Sequence, residues 1–97
     1  MAFTSAITVN KSMGSTAGWR THLEGTWTAT AVSKGKVALA AYITRIERGG
    51  VNCLTGTGVT KWGLNVDADG SAEAASIGVL ACTAADTGQW WAEGPHV

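Results

Sequence analysis

The chain alternates. From Trp19 to Thr30, residues Trp19, Thr21, Leu23, Gly25, Trp27 and Ala29 share one parity, while Arg20, His22, Glu24, Thr26, Thr28 and Thr30 take the other. A period of two is what a strand with one buried face requires, because successive side chains point to opposite sides of a sheet. The period recurs over Phe3–Val9, where Phe3, Ile7 and Val9 oppose Thr4, Ala6 and Thr8, and over Val59–Val66, where Trp62, Leu64 and Val66 share a face. Ile77–Thr83 is small and β-branched, and Gln89–Glu93 ends the series. Turn chemistry separates these runs at Ser33–Lys36, Gly49-Gly50, Gly56-Thr57-Gly58, Asp67–Ser71 and Asp86-Thr87-Gly88. The pattern predicts one all-β domain over residues 1–97, a small antiparallel β-sandwich or barrel of about six to eight strands.

One segment reads two ways. Lys36–Arg48, KVALAAYITRIER, has the Ala, Leu and closing Arg-Gly of a helix, but its centre YITRI is β-prone and its neighbours are strands. A strand is the expectation. No internal repeat stands out: Trp27-Thr28-Ala29 and Trp91-Ala92-Glu93 share a nearby glycine and little more.

Composition adds a partner. Charged residues make up 14% of the chain, seven basic against seven acidic, where ordinary globular chains carry roughly 25%. A low-charge surface at zero net charge associates. The scattered Lys and Arg form no basic face, so nucleic acid is not the expected partner. The longest apolar runs, such as Val37–Ile43, fall far short of the roughly 20 residues of a membrane span. The N-terminus lacks the basic and long apolar regions of a signal peptide, which points to synthesis in a cytoplasm.

Candidate chemistry is thin. Asn65, Asp67, Asp69 and Gly70 imitate part of a calcium loop, but Ser76 stands where a bidentate Glu is needed, and a hairpin turn explains the run better. Gly56-Thr57-Gly58 lacks the Lys-Ser/Thr of a phosphate loop. His22 sits on a polar strand face and His96 near the chain end, with nothing to pair either with Cys53 or Cys82 as a catalytic unit. Those cysteines have no zinc spacing and read as small buried side chains. No catalytic residue, metal or cofactor is expected.

Five tryptophans in 97 residues are the anomaly. Trp19 and Trp27 share Leu23's parity and Trp62 shares that of Leu64, so these three are expected in or near the core. Trp90 and Trp91 are adjacent, and in a regular strand one of them must face away. Tryptophan is enriched among interface hot spots. Trp90, Trp91 and Phe3, with Tyr42 behind them, are the expected partner-contact residues.

The opening Met1-Ala2-Phe3-Thr4 and the ending Thr83-Ala84-Ala85-Asp86-Thr87-Gly88-Gln89-Trp90-Trp91-Ala92-Glu93-Gly94 carry a resemblance. The chain resembles small bacteriophage virion proteins that open with MAxT and close with T-x-x-D-x-G-x-W-x-A-x-G, among them capsid decoration (cement) proteins. The resemblance implies a β-rich structural subunit without catalytic residues, mounted on the major capsid protein and self-associated as a homo-oligomer, commonly a trimer. The long central KVALAAYITRIERGG departs from that pattern. A tail or fibre component is the neighbouring alternative. From another class comes a carbohydrate-binding module, which the tryptophans suit but the scarcity of Asn, Asp and Gln does not.

Overall fold

The computed structural model describes residues 2–14, 19–30, 32–54, 61–82 and 85–97. They form seven strands and no helix: β1 (Ala2–Met13), β2 (Arg20–Thr30), β3 (Gly35–Ala38), β4 (Arg48–Cys53), β5 (Lys61–Val66), β6 (Ala72–Ala81) and β7 (Thr87–Pro95). One sheet has the order β1-β2-β7-β4 and the other β3-β6-β5, with every pairing antiparallel. Their inner faces share one core, in which Leu23, Trp27, Trp90 and Ala92 from the first sheet meet Val37, Ala75 and Ile77 from the second. The all-β expectation holds.

The core is organised by a repeat that hydrophobic parity alone conceals. Gly25-x-Trp27-x-Ala29 lies on β2 and Gly88-x-Trp90-x-Ala92 on β7. Antiparallel pairing sets Gly25 opposite Trp90 and Trp27 opposite Gly88. Each indole therefore lies across the glycine of the other strand. A Cβ on Gly88 would come within 2.5 Å of Trp27 Nε1, and one on Gly25 within 2.5 Å of Trp90 Cζ2. Both ring N–H groups are satisfied: Trp27 Nε1 donates to the Asn52 carbonyl at 3.0 Å and Trp90 Nε1 to the Thr26 carbonyl at 3.1 Å. Buried indoles need such partners. The internal repeat discounted from the sequence is thus G-x-W-x-A, aligned on Trp90 rather than Trp91.

The same inner face explains the C-terminal pattern. Asp86, Gly88, Trp90, Ala92 and Gly94 are all buried, so D-x-G-x-W-x-A-x-G is the inward side of β7. It encodes packing.

The segment Lys36–Arg48 is neither a continuous strand nor a helix. Its first residues complete β3, and Arg48 opens β4. Between them the chain makes a single turn, with Tyr42 N and Ile43 N both donating to the Leu39 carbonyl. It then runs along the end of β7, where Thr44 N donates to the Pro95 carbonyl and Glu47 N to that of Glu93. Leu39, Ile43 and Ile46 are buried at spacings of four and three. That spacing is compatible with a helix, but here it plugs one end of the sandwich. Asn65 pins the strap: its Nδ2 donates to the Ile46 carbonyl, and its Oδ1 accepts from Ile46 N, each at 2.8 Å.

Other expectations are corrected. Gly49-Gly50 is not a turn but part of β4, because Trp91 occupies the space their side chains would need. Trp19 is 59% exposed, lying over Gly14, and Trp62 is 40% exposed. Their parity was right for a regular two-faced strand. Trp19 instead precedes β2, and a register shift falls between Lys61 and Trp62 on an edge strand. Cys53 and Cys82 are half-buried thiols rather than fully buried ones. The Asp67–Ser71 turn is present, with Gly70 at φ +89° and Asp69 Oδ1 accepting from Ser71 N and Oγ. Gly56-Thr57-Gly58, Val59-Thr60 and Thr83 lie outside the described residues.

Candidate functional site

On the outer face of the first sheet, β2, β7 and β4 place their solvent-side residues in a row. Glu24 pairs with Trp91 and Trp91 with Gly50; Thr26 pairs with Gln89 and Gln89 with Asn52. Together with Thr8, His22, Val51 and Trp62 they line an open groove of about 610 Å³. Gly50 makes room for Trp91, since a Cβ there would sit 2.7 Å from Trp91 Nε1. This is a further tryptophan-on-glycine pair, and it faces out. The His22 ring stacks beside Trp91, with centroids 6.1 Å apart and planes 29° from parallel. Held between His22 and Gly50, the Trp91 indole remains 39% exposed.

His22 is itself clamped. Nδ1 lies 2.7 Å from Glu93 Oε2 and Nε2 lies 2.7 Å from Glu24 Oε2. Two carboxylates on the two ring nitrogens favour the doubly protonated ring. The contact with Glu24, followed by that with Glu93, holds the His22 pKa above its ordinary 6.5 against the opposing effect of burial. The charges continue along the sheet: Arg48 reaches Glu93 at 2.7 Å, and Glu47 bridges Arg45 and Arg20. At the other side of the groove floor, Gln89 N donates to Asn52 Oδ1 at 3.0 Å, and Asn52 Nδ2 approaches Gln89 Oε1 at 3.5 Å.

The expected contact residues separate. Trp91 is in the groove. Trp90, 2% exposed, belongs to the core. Phe3 is half-buried, stacked on Trp27 at 5.6 Å and 11° and covering Gly35. Tyr42 is half-buried against the core, where its carbonyl accepts from Val97 N. Only one of the four is offered outward as a large exposed apolar side chain. His96 is not a loose end: its Nδ1 lies 2.8 Å from Thr21 Oγ1, and its N–H donates to the Trp19 carbonyl.

The groove residues Asn52, Gln89 and Glu24 were not singled out from the sequence, and Trp62 was expected in or near the core. Asn52 and Gln89 are 37 positions apart and meet only through the β4–β7 register. The arrangement offers an aromatic surface, amides, hydroxyls and a carboxylate. Among the described residues no group of three or more His, Cys, Asp or Glu is placed to hold a metal ion. No protein-family model, curated protein or solved structure matches the chain.

Proposed function

We propose that the chain is a structural subunit of a bacteriophage particle, and within that class a capsid decoration protein that binds neighbouring copies of the major capsid protein. The observation that carries the assembly reading is the outer edge of β1. β1 is 12 residues long and, among the described residues, pairs along one side only, with β2. At about 3.3 Å per residue it runs about 40 Å, close to the 44 Å long axis of the molecule.

Exposed edges invite pairing with another chain, and proteins blunt them with short length, Lys or Pro. The other three edge strands follow that rule. β3, β4 and β5 are 4, 6 and 6 residues long, and each carries a cation, at Lys36, Arg48 and Lys61. β1 has no proline and a single charge, Lys11, with one bulge between Ile7 and Val9. Residues 2–10 are uncharged. Such an edge suits strand addition, in which main-chain hydrogen bonds supply affinity. An interface of about 1,200–2,000 Å² would complete it. The phage assignment, the capsid partner and a trimeric state rest on the resemblance of the chain's opening and ending.

The role is mechanical: subunits joined along their edges resist separation. Mass spectrometry and antibody labelling of particles purified from the source that carries the gene test it. The expected result is the chain present in stoichiometric amount on the head. Its absence from particles overturns the proposal, and label on the tail moves the subunit to the tail or fibre.

A further inference from the structure

We infer that the groove around Trp91 is a binding site for a neutral oligosaccharide, a role separate from assembly through β1. The carrying observation is an exposed indole already held in place beside side chains that recognise hydroxyl groups.

Sugar rings present two chemistries. Their faces carry C–H groups that pack on an aromatic surface, and their rims carry hydroxyls that donate and accept hydrogen bonds. Trp91 supplies the first. Its ring rests across Gly50 and against His22, so little conformational freedom is lost when a ligand covers it. Trp62, 40% exposed, provides a second indole in the same groove. Asn52, Gln89, Glu24 and Thr26 supply the second chemistry. The Asn52–Gln89 pair uses one amide N–H within itself and keeps the others for a ligand. Glu24, half exposed beyond its contact with His22, accepts from hydroxyls.

Charge selects against other ligands. The groove lining contains no Lys or Arg, and its one imidazole is already engaged on both ring nitrogens by Glu24 and Glu93. Nucleic acids and sulfated or sialylated glycans would find no counter-charge there. A buried apolar peptide would find Gly49, Gly50, Asn52 and Gln89 where it needs apolar walls. The chain's few amides are scarce overall, yet the β4–β7 register brings two of them next to the one tryptophan that β7 turns outward.

The test is titration calorimetry of the full chain with cellohexaose, maltohexaose, chitohexaose and mannohexaose. At least one is expected to bind saturably. Trp91→Ala is expected to weaken that binding about tenfold or more, the effect of losing one aromatic contact. Gln89→Ala is expected to weaken it as well, whereas Trp19→Ala, which alters an exposed indole outside the groove, is expected to leave it unchanged. Circular dichroism checks that each variant is folded. If none of the four binds at about 5 mM, a concentration that exposes even millimolar affinity, the inference is overturned. It is equally overturned if binding survives in both Trp91→Ala and Gln89→Ala.

Discussion

An alanine at Gly88 places a methyl group in occupied space. Its Cβ would fall within 2.5 Å of Trp27 Nε1 and 2.6 Å of Cε2, and closer still to the Asn52 carbonyl oxygen. Neither obstacle is a flexible side-chain end. One is main chain on β4, and the other is a 1%-exposed indole whose N–H donates to that same carbonyl. In an ordinary strand, replacing Gly by Ala gains about 0.5–1 kcal/mol. Here overpacking costs about 1–3 kcal/mol. Displacing the indole from its acceptor adds about 1–3 kcal/mol for a buried donor left unpaired. The net loss is about 2–4 kcal/mol, from a domain whose whole stability is about 5–15 kcal/mol. With a urea slope of about 1–2 kcal/mol per M, the unfolding midpoint falls by about 1–4 M. Tryptophan fluorescence and far-ultraviolet circular dichroism measure it. Trp27→Leu on the same background makes room, so the two substitutions should couple by about 1 kcal/mol or more. A midpoint at or above wild type, or strictly additive effects, would refute the interlocked Trp–Gly pairs.

The two adjacent tryptophans should behave oppositely. Trp90→Ala empties the core and should cost about 3–5 kcal/mol, while Trp91→Ala on the outer face should change the urea midpoint little. For pH, a His22 pKa raised above 6.5 means that its clamp stabilises fully below that value and is lost as pH rises through the folded pKa. The urea midpoint should therefore fall as pH rises above about 6.5, by about 0.5–1 kcal/mol equivalent for a partly exposed cluster, and His22→Gln should remove that slope. Ala85 is exposed at φ +73°, a conformation that costs an L-residue about 1–2 kcal/mol. Ala85→Gly should raise stability by about 0.5 kcal/mol after its entropy cost, read as a higher thermal midpoint.

Alternation was enough to locate most of β1, β2 and β7 and to divide Trp90 from Trp91, because β2 and β7 are buried on alternate residues and β1 half-buries Phe3, Ile7 and Val9. It failed where an inter-strand relation decides the outcome. Gly49-Gly50 has turn chemistry locally, and only Trp91 lying on the neighbouring strand makes it a strand. Trp62 has core parity, but a register shift on an edge strand leaves it in the groove. Leu39, Ile43 and Ile46 have helical spacing without a helix, since Thr44 and Glu47 find main-chain acceptors on β7 instead. One signal was present and readable. G-x-W-x-A occurs twice, and two copies on antiparallel neighbours set each Gly against the other's Trp. The groove left no such signal, because Asn52, Gln89, Glu24 and Trp62 come from four strands.

The β1 edge is the centre of the assembly account, and the solution mass of the protein tests it most directly. Light scattering on wild type at about 100 μM, within the range where a stable interface is populated, should give a discrete multiple of the 9.9 kDa chain. The resemblance sets that multiple at three. Thr4 and Ala6 are exposed on β1, and Thr4→Lys with Ala6→Lys should blunt the edge and return the mass to 9.9 kDa. A wild-type monomer, or an oligomer that the two lysines leave intact, would contradict the account.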